Sequence, residues 1–398
     1  MSDARAVGRP RTRVGIVGAG FAASSHLDAL SRVGGVEVTA IAASTPERGR
    51  AAAERYGIER AREDWRAVVE DDEVDVVHNC TPNFLHAEVS SAALSAGKHV
   101  LSEKPLAMDS RETAALRDHA ASTQAVTGVC FNYRHYPLVQ HARAMLSSGD
   151  EGDVHLVRGT YLQDWLLLED DWNWRLETSK AGTARAMGDI GSHWLDLVQH
   201  VTGDRVEAVM ADLGTLHTER LRPAGEVETF ARAEGEKERV AVGTDDFGSV
   251  LLRFSGGASG VFTVSQVSAG RKNHLTFEID TARASLSWNQ EEPNTLRIGR
   301  RDAPSSELPR DPSLLAPEAA ALARYPGGHQ EGWPDALRNL LEDFYAAVAA
   351  HRGGREHRST FATFDEAHGI TLVVEAIAES HRSRAWVDVA ARPAIGTS

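Results

Sequence analysis

Two cysteines in 398 residues, Cys80 and Cys130, are too few for a disulfide framework and fit a reducing, cytoplasmic setting. No apolar run approaches the roughly 20 residues that cross a bilayer, so no membrane partner is expected. Cationic residues are outnumbered, 43 Lys and Arg against 57 Asp and Glu, and the formal net charge of -14 excludes a broad nucleic-acid surface. Histidines are plentiful at 17, yet none stands in an HExxH pair or beside a CxxC, so no metal is expected. The basic start, MSDARAVGRPRTR, lacks the apolar region of a signal peptide. Residues 1–11 and 391–398 are expected to be flexible tails.

What is present is ordinary for a globular chain, 42% hydrophobic and 25% charged, and the length exceeds one ordinary core. Two domains are expected. Over residues 12–133 short apolar runs (RVGIVG, VEVTAIAA, VDVVHNC, HVLSE, AVTGVCF) alternate with helical periodicity at 22–30, 46–56, 83–96 and 110–122. That alternation predicts βαβ units and a parallel, doubly wound sheet. Over residues 134–390 the texture changes to alternating segments such as VHLVRGTYLQ, FGSVLLRFSGG, ASGVFTVSQVS, HLTFEID and ASLSW, which predict an open, mostly antiparallel sheet. Helices are expected at 192–201, 334–350 and 365–380, a last strand at 385–389, and a long loop over 215–239. The fold class is α/β, a Rossmann domain followed by a second α/β domain.

The fingerprint GIVGAGFAA sits between the first strand and first helix. Gly18 permits the tight turn, Gly20 lets the backbone approach a pyrophosphate, and Ala23 allows close helix packing, with Phe21 and Ala22 at the helix start. The end of the second strand reads Ala42-Ala43-Ser44-Thr45, with no acid for a ribose 2′-hydroxyl. Ser44, Thr45 and Arg48 instead suit a 2′-phosphate, so the cofactor is expected to be NAD or NADP, with NADP slightly favoured; the alternative is that Arg48 is a solvated helix residue. Asn79, Thr81 and Pro82 close a strand at the carboxyl edge where such sheets bind ligands, and His86 lies one turn beyond, in either a cofactor-binding or a packing role.

Glu103-Lys104-Pro105 places a lysine just beyond a strand, where its ammonium can stabilise a developing alkoxide; the plainer reading is an ion pair with Glu103. In DIGSHWLDL, Asp189 and His193 are four apart and share a helix face, a pairing suited to proton transfer. Lys104, Asp189 and His193 are the candidate catalytic set of an oxidoreductase. Three of the tryptophans fall within QDWLLLEDDWNWR. Trp165 and Trp174 offer flat faces for a sugar ring and Gln163 and Arg175 offer hydrogen bonds, although the same tryptophans suit a core or a subunit interface. The glycine-rich stretch 326–333, carrying His329, is a second candidate pocket wall.

Taken together, GIVGAGFAASSH, TPNFLHAEVSSAALSAGKHVLSEKPLA, FNYRHYP and DIGSHWLDL resemble the Gfo/Idh/MocA family, the glucose-fructose oxidoreductase and inositol dehydrogenase group. The resemblance implies a Rossmann domain holding NAD or NADP, a second domain for substrate and oligomer contacts, and a homodimer or homotetramer. It puts the family's lysine on Lys104, its aspartate and histidine on Asp189 and His193, and substrate contacts on Asn132 and Arg134. The tryptophan segment is similar to a levoglucosan dehydrogenase-like subgroup that oxidises sugar ring hydroxyls, which implies a pyranoside or anhydrosugar oxidised at C3. The alternatives are a keto-sugar reductase, an inositol or aldose dehydrogenase, an enzyme that recycles a tightly held cofactor between two sugars, and a sugar-sensing regulator without catalysis.

Overall fold

A computed structural model describes residues 11–225 and 235–390. Its first half runs β1 (Thr12–Val17), α1 (Phe21–Leu30), β2 (Val36–Ala42), α2 (Pro46–Tyr56), β3 (Arg60–Ala61), α3 (Trp65–Val69), β4 (Val76–Asn79), α4 (His86–Ser95), β5 (His99–Ser102), α5 (Ser110–Ala121) and β6 (Thr127–Val129). The six strands form a parallel sheet in the order β3-β2-β1-β4-β5-β6. Helices on both faces explain why β4 and β5 are buried along their whole length instead of alternating. The strand order reverses between β1 and β4, and such a switch opens a crevice beyond the carboxyl ends. β3 and α3 escape a sequence reading because two and five residues are too few to show a period; α3 starts where Asp64 accepts the Ala67 N–H at 3.0 Å.

The second half contains α6 (Pro137–Ser147), β7 (Val154–Leu162), α7 (Thr178–Ala181), α8 (Ser192–Thr202), β8 (Val206–Gly214), β9 (Glu219–Pro223), β10 (Lys237–Ala241), β11 (Phe247–Phe254), β12 (Ser259–Ser265), β13 (His274–Thr281), β14 (Ser285–Asn289), β15 (Thr295–Gly299), β16 (Ser306–Pro309), α9 (Pro317–Ala320), α10 (Trp333–Arg352), α11 (Phe364–Ser383) and β17 (Val387–Asp388). Nine strands form an open sheet, β16-β15-β14-β13-β7-β12-β11-β8-β17, antiparallel except where β12 meets β7. Alternation along β11 buries Val250, Leu252 and Phe254 and exposes Phe247 and Leu251, so one face carries the core and the other lies open. On the covered face Trp194 of α8 stacks on Phe262 at 4.4 Å and donates its indole N–H to the Thr276 carbonyl at 2.8 Å. A side chain at Gly159 would come within 2.6 Å of that indole nitrogen, so the glycine makes the seat that fixes α8 on the sheet.

Two expectations are corrected. The segment 215–239 is not a plain loop: β9 and β10 pair antiparallel within it, and residues 226–234 fall outside the described residues. The hairpin docks on the tryptophan segment, where Leu221 N–H donates to the Glu169 carbonyl at 3.0 Å and the buried Arg220 reaches Asp246 at 2.7 Å. Its charged residues hid it, because Arg220, Lys237 and Arg239 find carboxylates outside the segment, on Asp246, Asp170 and Glu169. Secondly, α10, expected with the second domain over residues 134–390, packs on the first. Leu337, Leu340, Leu341, Phe344 and Val348 share a core with Val14 and Ile16 of β1 and Ala23 and Leu27 of α1. Among the described residues no helix is long and apolar enough to cross a membrane. Residues 1–10 and the tail 391–398 lie outside the description.

Candidate active site

A cleft of ≈ 1330 Å³ runs over the carboxyl ends of the first sheet to the edge of the second, large enough for a dinucleotide and a substrate together. At one end is the glycine turn. Gly18 has φ +117°, and a side chain there would meet the Cys80 carbonyl oxygen at 2.4 Å. Gly20 has nothing within 4 Å of a would-be Cβ and caps α1 with no side-chain hydrogen bond. The backbone N–H groups that open α1 therefore face a bare, glycine-lined cradle, which suits a pyrophosphate. Phe21, Ala22, Ala43, Ser44 and Arg48 line the same end. So do Glu63 and Asp64, which sequence reasoning missed because they follow β3 rather than β2.

At the other end Glu103 and Lys104 leave β5. Lys104 Nζ lies 2.6 Å from Asp189 Oδ1 and 3.0 Å from the Asp189 carbonyl. The same carboxylate accepts Arg175 Nε at 3.2 Å and Gln266 Nε2 at 2.9 Å. Burial would raise the Asp189 pKa, but Lys104 and then Arg175 outweigh it and hold the carboxyl well below its usual range. Asp189 does not sit on an α-helix as its spacing to His193 suggested. Met187–Gly191 is a π-helical turn that runs into α8. Asp245 accepts the N–H groups of Arg185 and Met187, each at 2.7 Å, and so anchors the start of this turn. A side chain at Gly191 would strike Met187 Sδ at 2.6 Å.

His193, on the first turn of α8, is boxed by Phe131 and Tyr133, with ring centroids 5.5 and 4.9 Å away. Its Nδ1 is buried without a partner, as is Asn132 Nδ2, and both residues line the cleft. Burial, and then the positive charge of Lys104, push the imidazole down to about 3, so it stands neutral. Orphaned buried polar atoms beside a charged triad are what a polar ligand would satisfy.

The substrate wall comes from both halves. Trp165, Trp172 and Trp174 are half-buried and line the cleft with Gln163, and Arg175 lies over the Trp174 ring at 4.4 Å. Trp165 Nε1 donates to Gln163 Oε1 at 2.8 Å. Sequence reasoning missed Tyr133, Tyr161 and Asn273, which complete this end with Trp333 of the 326–333 stretch: the two phenol oxygens are 2.7 Å apart, and Tyr161 donates to Asn273 Oδ1 at 2.6 Å. The first two sit in predicted segments, but only the pairing of β7 with β13 brings Asn273 to them.

Several expected site residues lie elsewhere. Arg134 is buried in an ion pair with Asp196 at 2.5 Å and lines a separate cavity with Arg143 and His200, so it is not a substrate contact. His329 is exposed outside the cleft, its carbonyl taken by Arg310; of that stretch only Trp333 lines the site. Thr45 spends its hydroxyl oxygen capping α2 through the Arg48 N–H. Asn79 turns away from the cleft and donates to Ser90 Oγ at 3.0 Å and to the His86 carbonyl at 3.1 Å. The His86 ring lies between the Thr81 and Pro105 carbonyls at 2.8 and 2.6 Å, where it braces the loops after β4 and β5. Thr81 and Pro82 do line the cleft.

A glycine cradle at the switch point of a parallel sheet, joined by one cleft to a lysine, an aspartate and a neutral histidine, defines a dinucleotide-dependent oxidoreductase. Residues 12–131 match the oxidoreductase family with an NAD-binding Rossmann fold, and residues 139–287 match the GFO/IDH/MocA C-terminal domain. The chain is 32% identical to levoglucosan dehydrogenase of Pseudarthrobacter phenanthrenivorans over 94% of its length and 97% of that protein's. It therefore belongs to the GFO/IDH/MocA family of oxidoreductases. The solved levoglucosan dehydrogenase complex with NADH and levoglucosan superposes with a TM-score of 0.84 at 30% identity, covering 96% of this chain and 99% of that one. An inositol dehydrogenase homolog from Azotobacter vinelandii, complexed with NADH and myo-inositol, gives 0.82 at 27% identity over 95% and 97%.

Proposed function

We propose that the protein oxidises a ring secondary hydroxyl of an uncharged sugar, a pyranoside or anhydrosugar, at C3. The observation that carries this reading is the joining of the glycine cradle, the Lys104, Asp189 and His193 set and the tryptophan wall in one cleft. When bound, the nicotinamide supplies the hydride acceptor for the carbinol carbon. His193, neutral and with an unpartnered ring nitrogen, takes the hydroxyl proton. Lys104 donates to the substrate oxygen with a remaining N–H while Asp189 fixes its ammonium. The relatives bound to levoglucosan and myo-inositol support a polyol of this size.

Charge pairing supports a neutral ligand. Lys104 and Arg175 share Asp189, Lys180 bonds Glu177 at 2.9 Å, Arg222 bonds Glu238 at 2.7 Å and Lys272 bonds Asp164 at 2.7 Å. Among the described residues each basic group toward the substrate end already has a carboxylate, which leaves no ready seat for a phosphate there. At the cofactor end Arg48 and the absence of an acid at Ala43 support use of NADP alongside NAD, while Glu63 and Asp64 support NAD. An exposed row of Met210, Leu251 and Val261, neighbours across β8, β11 and β12, supports a homo-oligomer through the open sheet face. The test is reduction of NAD and NADP in parallel against anhydrosugars, pyranosides, their 6-phosphates, inositols and simple aldoses. Turnover restricted to the phosphates, or none with any sugar, removes the proposal.

A further inference from the structure

Behind Glu103, on the side away from the cleft, lies a line of buried polar groups that the chemistry above does not use. His26 of α1 is fully buried and does not line the cleft, whereas Glu103 does. His26 Nε2 is 3.2 Å from Glu103 Oε1, and its Nδ1 is 2.9 Å from His78 Nδ1; His78 Nε2 in turn is 2.7 Å from the Tyr345 hydroxyl on α10. The second Glu103 oxygen accepts the Lys104 backbone N–H at 3.1 Å. Cys130 Sγ lies 3.4 Å from His26 Nε2. His26, Glu103 and Cys130 bring ligand-type atoms within 4.8 Å of one another, and the hydrogen bonds from the imidazole account for that grouping.

The line accommodates a proton on both His26 nitrogens. Nε2–H then donates to Glu103, Nδ1–H donates to His78, and His78 Nε2–H donates to Tyr345. Burial opposes a charge on His26, yet the Cys80 and then the Cys130 sulfur beside it raise its pKa well above the ordinary value, while His78 is driven well below by burial and by His26. Burial likewise opposes the Glu103 charge, and His26 followed by Lys104 brings that carboxyl down to about 2. Burial raises the Cys130 thiol to about 12, and the carboxylate within hydrogen-bond reach of His26 Nε2, at 3.2 Å, is Glu103. The pair is a buried ion pair with its negative end toward the cleft.

We infer that His26 is a positioning residue whose imidazolium keeps Glu103 ionised at the nicotinamide end of the cleft, and that this carboxylate favours the oxidised, cationic cofactor over the reduced, neutral one. The inference rests on the proposed dinucleotide site. A fixed charge in a poorly solvated wall discriminates between a cation and a neutral ring far better than it would in water. Lys104 at the same end acts oppositely, and Asp189, which it shares with Arg175, offsets part of that charge.

The experiment is fluorescence titration of NADH and competition by NAD+ on wild type, His26→Gln and Glu103→Gln, with circular dichroism and melting to establish folding. Both variants are expected to raise the ratio Kd(NAD+)/Kd(NADH) by about fivefold or more, the lower end of ordinary coupling between sites. Tyr345→Phe, which strips the far end of the line, is expected to raise it less. An unchanged ratio in folded His26→Gln overturns the inference; should that variant fail to fold, an unchanged ratio in Glu103→Gln does so. Wild-type protein that binds neither form overturns the dinucleotide site instead, so the two failures are distinct.

Discussion

The ammonium of Lys104 and the carboxylate of Asp189 meet at 2.6 Å, although 85 residues separate them in the chain. One group leaves the end of β5 and the other sits in the π-turn that starts α8, so this bond spans the cleft between the two sheets. A partly buried ammonium held in this way is pre-organised to donate to a substrate oxygen. Replacing Lys104 with Met removes the donor without adding polarity. Turnover should fall about 10²- to 10⁴-fold, the range for a lost transition-state donor or acid-base group, while NADH affinity stays within about twofold. Near-normal kcat in Lys104→Met removes the residue from the chemistry.

Asp189 depends on a residue that makes no acid-base contribution. Gln266 Nε2 donates to Asp189 Oδ2 at 2.9 Å, and Gln266 Oε1 accepts Arg185 Nη1 at 2.7 Å, which fixes which way the amide faces. Gln266→Leu keeps the volume and removes both bonds. Loss of this constraint should lower kcat/KM about ten- to hundredfold, the scale of a small misplacement of a reacting group. Gln266→Glu, which can keep only the bond to Arg185, should not restore it. Wild-type kinetics in Gln266→Leu would show that Lys104 and Arg175 suffice to hold Asp189.

The contrast between Asp189 and Gln266 shows where sequence reading ends. Gly18, Lys104, Asp189 and His193 were legible because each acts through its position relative to a neighbouring strand end or helix, which local pattern reveals. Gln266 and Asn273 reach the site only through sheet pairing, and no local period encodes that. Asp189 and His193 were found for a partly mistaken reason, since four-residue spacing was read as one α-helical face and the chain makes a π-turn there. Arg134 shows the opposite failure. A basic residue beside a recognisable motif reads as a ligand group until its partner, Asp196, is seen 62 residues away.

That correction is itself testable. Arg134 Nε and Nη2 grip Asp196 at 2.7 and 2.5 Å, and Nη1 reaches Glu366 at 3.0 Å, all behind α8. Arg134→Met leaves a buried carboxylate without its cation, at a cost of about 3–5 kcal/mol. The melting temperature should drop by several degrees, at about 2–4 °C per kcal/mol for domains of 150–250 residues. KM for the sugar should stay within error in protein that remains folded. A raised KM with unchanged melting would return Arg134 to the substrate site.

Cofactor choice turns on the end of β2. Ala43 and Ser44 line the cleft with Arg48 and offer no carboxylate there. Wild type should accept both NAD and NADP. Ala43→Asp adds an acid where a ribose 2′-hydroxyl would bond and a 2′-phosphate would be repelled, so kcat/KM for NADP should fall at least about tenfold relative to NAD, a repulsion of only about 1.4 kcal/mol. An unmoved ratio would mean that Glu63 and Asp64 already decide the matter.

The neutrality of His193 gives the last test its sign. Its folded pKa, near 3, lies below the ordinary 6.5 because burial and Lys104 both disfavour the cation. The folded state therefore binds fewer protons than the unfolded chain between those values, and this histidine's contribution to stability, whole above about pH 6.5, declines as pH falls toward 3. Catalysis should follow the same logic. The base is already unprotonated at mildly acidic pH, so kcat/KM for sugar oxidation should run without an inflection of its own near 6.5. His193→Asn should lower that plateau about 10²-fold or more without changing its shape between about pH 5 and 7. An acid limb with a midpoint near 6.5 in wild type, absent from His193→Asn, would show instead that the imidazole titrates as a solvated one, and that the boxed, neutral state is not the working one.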